Sequence, residues 1–279
     1  MVVAANAERP GVNVHCESVV HIYQTPNGAV VSLRGVDLDV DAGEALALLG
    51  PSGSGKSTLL SLLAGLIKPT AGRVRVGELD MNALSGSDLV AMRSGLVGLA
   101  LQDAARNLLP YATAQQNVQF AQRRRAVRPR QLLEQLGIGS LAGRQVSTLG
   151  GGEQQQIALA VAVASEPRLL LLDEPTSQLD PIERDRVIEL IRTLNDEVGM
   201  TVIAVTHDPA VAGSMPRTVT IRDGRVGSEG RRGEDYAVVG RDGTIQLPPD
   251  VLQLLPPGTL VRLHRQRGGV DLRHSDRQQ

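Results

Sequence analysis

The sequence contains very few aromatic residues. Among its 279 residues there is no tryptophan, one phenylalanine and three tyrosines. The core must therefore consist of leucine, valine, isoleucine and alanine, which supply most of a hydrophobic fraction of 42%. A chain of this length and composition can bury a sizeable core, which excludes a wholly disordered or collagen-like protein.

Cysteine, net charge and long hydrophobic runs are also scarce. The single Cys16 can form neither an intrachain disulfide nor a zinc cluster of cysteines. Basic and acidic residues number 29 and 30, so no overall field indicates a nucleic-acid binder. The longest apolar run, residues 157–164, is far shorter than the ~20 residues that cross a bilayer, and no signal peptide is evident. We expect a cytoplasmic protein that reaches a membrane only through a partner.

Lysine is nearly absent as well, and the position of one lysine is informative. The basic residues are 27 arginines and only two lysines, Lys56 and Lys68. A short apolar strand at 44–49 and a predicted helix at 59–67 flank a stretch with the spacing of a phosphate-binding loop: Gly50, Pro51, Ser52, Gly53, Ser54, Gly55, Lys56, Ser57 and Thr58. Its glycines allow backbone N–H groups to point at a phosphate, Lys56 adds a compact positive charge, and the Ser57 hydroxyl can bind Mg²⁺.

Two acidic residues follow a run of four leucines at 169–172. Such a run predicts a strand buried on both faces of a parallel sheet. The strand places Asp173 at its carboxyl end, beside the phosphate loop, where a carboxylate can hold Mg²⁺. The adjacent Glu174 can polarise water for in-line attack on a γ-phosphate.

The order of predicted elements indicates an α/β fold. Apolar or alternating runs predict strands at 12–23, 29–40, 44–49, 73–76, 96–101, 169–172 and 201–206, and amphipathic spacing predicts a helix at 181–197. Residues 103–165 are expected to form a helical insertion, in which Thr113 and Gln116 make a capping box. Residues 1–228 then form one domain. The glycine- and arginine-rich texture after it predicts a small, mostly β appendage at 229–279, with strands at 236–240, 244–247, 259–266 and 270–273.

In the order and spacing of these motifs, residues 12–226 resemble an ATP-binding-cassette (ABC) ATPase subunit. The resemblance implies a P-loop NTPase fold with a RecA-like parallel core, an antiparallel β subdomain and a helical insertion. It implies that Tyr23 stacks on adenine and that Gln102 contacts Mg²⁺ and the attacking water. His207 would contact the γ-phosphate, so Glu174, His207 and Gln102 are the catalytic candidates, and Ser57, Gln102 and Asp173 the metal candidates.

The resemblance also implies a composite site between two subunits. Two chains, identical or different, would meet head to tail around two ATP molecules and drive a separate membrane permease. The family signature corresponds to Leu149, Gly150, Gly151, Gly152 and Glu153, and the loop Ser177-Gln178-Leu179-Asp180 would cross between subunits with Asp180 as its acid. Residues 107–118 resemble the branch that contains macrolide-exporter, lipoprotein-release and cell-division ABC ATPases.

The signature departs from the family at one position. Gly150 stands where the family has a serine whose hydroxyl reaches the γ-phosphate across the dimer, and Gln156 and Val161 replace common arginines. We therefore expect slower hydrolysis or looser ATP-driven dimerisation in an enzyme that is still active. A basic run, Arg123-Arg124-Arg125 with Arg128 and Arg130, is interpreted either as a solvated helix face or as a contact to a membrane partner or to anionic headgroups.

Two alternatives to transport remain open at this point. The first is a mechanotransmitting ATPase that controls a cell-envelope enzyme through a permease-like partner. The second is a soluble regulator in which ATP binding controls a DNA- or protein-binding tail, because residues 238–275 weakly resemble AbrB-type swapped-hairpin modules. From Gly230 onward the tail has eight arginines and six acidic residues. This small excess of positive charge gives little indication of DNA binding, and we do not expect nucleic acid as a partner.

Overall fold

The computed structural model describes residues 11–26, 28–122, 128–177, 179–231, 234–266 and 269–274. The strands are β1 (Val14–Thr25), β2 (Gly28–Val40), β3 (Ala45–Leu49), β4 (Ala71–Val76), β5 (Leu79–Asp80), β6 (Val97–Ala100), β7 (Leu169–Asp173), β8 (Thr201–Val205), β9 (Arg217–Arg222), β10 (Arg225–Arg231), β11 (Glu234–Ala237), β12 (Val261–Gln266) and β13 (Gly269–His274). The helices are α1 (Lys56–Leu63), α2 (Gly86–Arg93), α3 (Ala114–Ala121), α4 (Pro129–Gln135), α5 (Gly151–Val163), α6 (Pro181–Asp196), α7 (Pro209–Ser214) and α8 (Pro249–Leu254). Gln178 and the arginine run at 123–125, both singled out from the sequence, lie outside the described residues.

The central sheet has the strand order β11-β10-β9-β3-β8-β7-β6. From β9 to β6 all neighbouring strands are parallel, whereas β10 and β11 are antiparallel additions at one side. β7 and β8 are buried along their whole length, as the run of four leucines predicts for β7. The carboxyl ends of β3, β7 and β8 therefore meet at one edge of the sheet, and the α/β prediction is confirmed.

A second, antiparallel sheet has the order β2-β1-β4-β5 and shares a hydrophobic core with β3, β7, β8 and α1. Cys16 on β1 is buried within it. Burial, with the nearby carboxylates of Asp39 and Asp37, raises the pKa of the Cys16 thiol to about 12. This cysteine is therefore a protonated core residue and not a reactive thiol.

The helical insertion between β6 and β7 has its own aliphatic core. Buried side chains of α3, α4 and the middle of α5 form one cluster that includes Val118, Leu133 and Ile157. The predicted capping box is present: the Gln116 amide donates to the Thr113 hydroxyl at 3.3 Å, and the Thr113 amide donates to Oε1 of Gln116 at 2.8 Å. Because α5 ends against the central sheet, it connects this cluster to the strand that carries Asp173.

Two features differ from the sequence-based predictions. The helix predicted at 59–67 runs instead from Lys56 to Leu63, because it begins directly at Gly55 and Gly65 adopts a left-handed φ of +65°. In the tail, the strand predicted at 244–247 is wrong. Only an isolated bridge between Val239 and Ile245 forms there, and residues 249–254 are helical, with proline at the first helical position.

The start of the tail belongs to the central sheet. Strand β10 passes through residue 229, where we predicted the domain boundary, and β11 pairs with β10 from Ser228 to Ala237. The hairpin of β12 and β13 confirms the last two predicted strands and forms a separate two-stranded sheet. An independent appendage at 229–279 remains a prediction.

The buried core contains no phenylalanine or tyrosine among the described residues, as the composition predicted. All four aromatic side chains are exposed: Tyr23 by 39%, Tyr111 by 72%, Phe120 by 68% and Tyr236 by 49%. In the part of the chain that the structure covers, no helix has the length and apolarity needed to cross a membrane.

A buried arginine, Arg217, joins the start of β9 to the second half of β10 and to residues that precede β3. The Arg217 guanidinium, 8% exposed, donates to both carboxylate oxygens of Glu229 at 2.8 and 3.1 Å. It also donates to the Asp39 carbonyl at 2.7 Å and to the Glu44 carboxylate at 3.1 Å. Arg231 provides Glu229 with a second cationic partner.

We expect Glu229→Gln to lower the free energy of unfolding by about 1–3 kcal/mol at neutral pH, because it removes a charged partner of the buried Arg217 guanidinium. Burial raises the pKa of the Glu229 carboxyl, but hydrogen bonds from Arg217 and Arg231 outweigh it and hold that pKa below its ordinary value. The stabilisation is thus present above the unfolded pKa of about 4.3 and is lost as the pH falls further. Urea unfolding at neutral and acidic pH measures this. Glu189→Gln, at an exposed position, is the control. If the difference in unfolding free energy between wild type and Glu229→Gln were the same at acidic and neutral pH, the expectation would be contradicted.

Candidate active site

The phosphate loop connects β3 to α1, and two of its glycines are required by close contacts. Gly50 has a φ of +136°, and a Cβ there would lie 2.0 Å from the Ile221 carbonyl oxygen. Gly55 has a φ of +105°, and its Cβ would lie 2.7 Å from the Ser32 carbonyl oxygen. Any side chain at these positions would therefore displace the loop from the neighbouring strands.

The loop presents a positive charge that is held by its own backbone. The buried Lys56 ammonium donates to the carbonyl oxygens of Gly50 at 2.8 Å and of Pro51 at 2.9 Å. The Ser54 hydroxyl is buried and has no hydrogen-bond partner in the described part of the chain. A helix N-terminus, an ammonium and an unsatisfied hydroxyl that converge on a glycine-rich cradle fit a bound phosphate group.

A cleft of about 470 Å³ brings most of the predicted site residues together. It is lined by Ser32, the whole loop 50–58, Gln102, Asp173, Glu174, Val205 and His207. The residues come from separate parts of the sequence and meet because β3, β6, β7 and β8 end at the same edge of the sheet. This is the usual position of a ligand site in an open α/β sheet.

Asp173 is one of two nearly buried acidic groups that line the cleft. Its side chain ends β7, is only 8% exposed and accepts a hydrogen bond from Ser57. Burial raises the pKa of the Asp173 carboxyl. The hydrogen bond from Ser57 and the charge of Lys56 oppose this effect, and the neighbouring Glu174 adds to it. A buried carboxylate in contact with a hydroxyl is a donor set that fits Mg²⁺.

Glu174 is held in an unusual backbone conformation that points it to His207. It has a φ of +51°, and its amide donates to the Val205 carbonyl at 2.9 Å. Its carboxylate Oε2 lies 2.8 Å from Nδ1 of His207 and accepts the His207 amide at 3.3 Å. A non-glycine residue in this region is strained, which is common where a side chain must reach a reaction centre.

The remaining predicted residues lie outside this cleft. The Tyr23 hydroxyl is 3.3 Å from Oγ1 of Thr58, so the ring lies beside the start of α1. Asp180 caps α6 by accepting from the amides of Ile182 and Glu183 at 2.8 and 2.9 Å. Residues 149–153 lie at the start of α5, where the Gly150 amide donates to Glu153 at 3.0 Å and Arg144 pairs with Glu153 at 2.7 Å.

Two residues near the phosphate loop were not identified from the sequence. The Ser32 hydroxyl on β2 lies 2.8 Å from Oγ1 of Thr58 and lines the cleft. The Gly224 amide, in the turn between β9 and β10, donates to the Ser54 carbonyl at 3.1 Å. Asp223-Gly224 is a recognisable hairpin-turn signal, but its contact with a loop 170 positions earlier is set only by the tertiary fold.

Comparisons with known proteins agree with this geometry. A model of the family described as "ABC transporter" matches residues 33–177. The lipoprotein-releasing system ATP-binding protein LolD of Anaeromyxobacter dehalogenans is 45% identical over 213 residues, which cover 73% of this chain and 88% of that protein. The macrolide export ATP-binding/permease protein MacB of Rhodopirellula baltica is 40% identical over 219 residues, 75% of this chain, and the match spans only 32% of that longer protein.

A solved structure gives the same result for the fold. The dimeric ATP-binding cassette MJ0796, bound to ADP and Pi, superposes with a TM-score of 0.73 at 33% sequence identity. The match covers 78% of this chain and 98% of that one. The family match, these similarities and the residues gathered in the cleft lead to one conclusion: the chain belongs to the ABC transporter family and is an ATP-binding subunit, an ATPase that uses Mg²⁺.

Proposed function

We propose that the chain hydrolyses MgATP as a dimer of cassettes and drives a separate membrane permease. The observation that carries this proposal is the single cleft in which the phosphate loop, Asp173, Glu174, Gln102 and His207 meet. A metal ion bound there would neutralise charge on the phosphates of ATP. The protein supplies the positioned groups around it.

Each group in the cleft has a role suited to its surroundings. Lys56 would exchange its two backbone carbonyl partners for the phosphates of ATP, while Ser57, Gln102 and Asp173 provide oxygen ligands for the metal. Glu174 is the group best placed to orient and polarise the attacking water. His207, 2.8 Å from its carboxylate, would hold the Glu174 side chain in position and sense the γ-phosphate.

Residues outside the cleft would contact the nucleotide bound by their own subunit or, across a dimer interface, the one bound by the partner. Tyr23 is exposed beside α1 and is available to stack on adenine. The N-terminus of α5, with the amides of Gly151 and Gly152, and the loop that ends at Asp180 would approach the nucleotide bound by the partner subunit. In this arrangement ATP closes the dimer, and hydrolysis allows it to open.

We expect Gly150→Ser to raise the turnover of ATP about tenfold, because it adds one hydroxyl to the γ-phosphate across the dimer. Gly150 has open space around it, with no atom within 4 Å of the position that a Cβ would occupy, so a serine fits without rearrangement. Phosphate release and ATP-driven dimerisation are the measurements. Gly143→Ser, which also enters open space in the helical insertion, is the control. Equal turnover of the Gly150→Ser and wild-type proteins would overturn this expectation.

The similarity to LolD and MacB supports a partner of the lipoprotein-release or macrolide-export type. The cassette would work at the cytoplasmic face of the membrane, attached through that partner and not inserted in the bilayer. The exposed Tyr111 and Phe120 on the helical insertion, close in sequence to Gln102, are suited to this contact. Cargo would be selected by the permease.

Co-purification tests the proposal. A tagged Glu174→Gln chain, expected to retain ATP, is recovered from detergent-solubilised native membranes, with Lys56→Ala as a matched chain that cannot hold nucleotide. A stoichiometric polytopic partner on the Glu174→Gln chain supports a transporter or a mechanotransmitter, which the topology of the partner then separates. Recovery of an ATP-bound dimer alone, from the soluble fraction, would contradict a membrane role.

A further inference from the structure

The turn between β9 and β10 is wedged against the phosphate loop. This β9–β10 turn, residues 222–225, donates the Gly224 amide to the Ser54 carbonyl at 3.1 Å and accepts the Arg34 amide on the Gly224 carbonyl at 2.8 Å. A Cβ at Gly224 would lie 2.6 Å from the Ser32 carbonyl oxygen, so the turn has no room for a side chain there. A displacement of the β9–β10 turn would therefore move Ser54.

A second turn, in the tail, is a compact unit. This tail turn, residues 239–246, is closed by the bridge between Val239 and Ile245 and by a hydrogen bond from the Gly240 amide to the Thr244 carbonyl at 2.8 Å. Inside it the Asp242 carboxylate accepts the Thr244 amide at 3.1 Å and the Thr244 hydroxyl at 2.6 Å. Contacts within the tail turn alone are thus enough to orient the Asp242 side chain.

The tail turn holds both sides of the β9–β10 turn. Asp242 forms an ion pair with Arg225, whose guanidinium also donates to the Thr244 hydroxyl at 3.3 Å. The Gln246 side-chain amide donates to the Arg222 carbonyl at 3.3 Å. A continuous path of contacts consequently leads from Asp242 and Gln246 through the β9–β10 turn to the phosphate loop.

The tail turn is also attached to the antiparallel sheet. Arg241 lies 3.0 Å from the carboxylates of both Glu17 and Asp37. Glu17 is on β1, the strand that carries Tyr23, and Asp37 is on β2, the strand that carries Ser32. Hydrogen bonding to Arg241, with its charge, lowers the pKa of the Glu17 carboxyl, so this ion pair persists below the pH at which an ordinary glutamate takes up its proton. The tail turn therefore connects the two sheets on either side of the nucleotide site.

We propose that the tail turn is a positioning element of the nucleotide site, which holds the β9–β10 turn against the phosphate loop and thereby sets nucleotide affinity. The groups proposed for chemistry, Asp173, Glu174 and His207, follow β7 and β8, on the other side of β3 from β9 and β10. Loss of the tail contacts should therefore weaken binding more than it slows the chemical step. Each contact is partly exposed and individually weak, so the total effect should be moderate.

The test uses the whole chain and the double variant Asp242→Asn/Gln246→Leu. This variant removes the ion pair to Arg225 and the hydrogen bond to the Arg222 carbonyl, and it leaves the contact between Arg225 and the Thr244 hydroxyl. We expect the Kd for MgADP, measured by titration calorimetry, and the KM for ATP to rise about three- to tenfold, with kcat within about twofold of wild type. Asp271→Asn is the matched control, since it removes an exposed ion pair between Asp271 and Arg273 in the β12–β13 hairpin, within the same tail.

A charge-retaining variant separates positioning from a loss of folding. Arg225→Gln, which loses the ion pair, should weaken MgADP binding, whereas Arg225→Lys, which keeps a cation opposite Asp242, should hold the Kd within about twofold of wild type. An unchanged Kd in the folded double variant, an equal shift in Asp271→Asn, or equal shifts in Arg225→Gln and Arg225→Lys would each overturn the proposal. These assays need no membrane partner, so their outcome is independent of the permease experiment.

Discussion

Glu174→Gln is expected to reduce ATP turnover by about 10²–10⁴-fold while leaving ATP binding intact. The substitution removes the carboxylate that would polarise the attacking water but keeps the shape of the side chain. The amide oxygen of glutamine can still accept the His207 backbone N–H, now 3.3 Å from Oε2, so the strained backbone at this position is retained. Phosphate release measures turnover, and ATP retained on gel filtration measures binding.

The control for this prediction is Glu134→Gln, which changes an exposed glutamate that pairs with Arg130 one helical turn away. It should behave as wild type in both assays. A Glu174→Gln protein that hydrolyses ATP at more than about a tenth of the wild-type rate would show that Glu174 is not the group that activates water. His207 would then have to activate the attacking water, or Gln102 would have to hold that water in position.

Asp173→Asn is expected to have opposite effects on activity and on stability. Turnover should fall on the order of a thousandfold, because a neutral amide is a poor ligand for a divalent cation. Without nucleotide, however, the free energy of unfolding should rise. Burial raises the pKa of Asp173, so ionising this carboxyl costs more in the folded protein than in the unfolded chain.

The sign of this effect gives a pH test. A group with a raised pKa in the folded state favours folding fully below its unfolded pKa, about 3.9, and loses that contribution as the pH rises through the folded value. The stability gained by Asp173→Asn should accordingly be absent in acid and grow towards neutral pH. Asp185→Asn, at an exposed position on α6, should show no such trend. A less stable Asp173→Asn protein at neutral pH would mean that the hydrogen bond from Ser57 outweighs desolvation.

The parts of the site that are contiguous in sequence could be predicted from it. The phosphate loop lies on nine consecutive residues, and its glycines are needed because of contacts that leave no space for a side chain. Asp173 and Glu174 follow a strand whose apolar character shows that it is buried on both faces. Local signals of this kind also located the capping box at Thr113 and the helix that starts at Pro181.

Features that depend on distant contacts could not be predicted in this way. Ser32 reaches Thr58 only because β2 folds across the start of α1, and a serine within a strand carries no signal for that. The tail was misread at 244–247 because Thr244 and Ile245 have high strand propensity, whereas the side-chain bonds of Asp242 favour a turn. The crossing of residue 229 by β10 depends on pairing with β9, which composition does not indicate.

The exposure of every aromatic side chain has a spectroscopic consequence. Because the chain has no tryptophan, its ultraviolet emission comes from three tyrosines, and none of them is in the core. Unfolding should change that emission little, so circular dichroism is the better reporter of folding. Tyr23, with its hydroxyl 3.3 Å from Thr58, supplies a third of the fluorophores. A change in intrinsic fluorescence on adding ATP is therefore expected from Tyr23, the tyrosine proposed to stack on adenine.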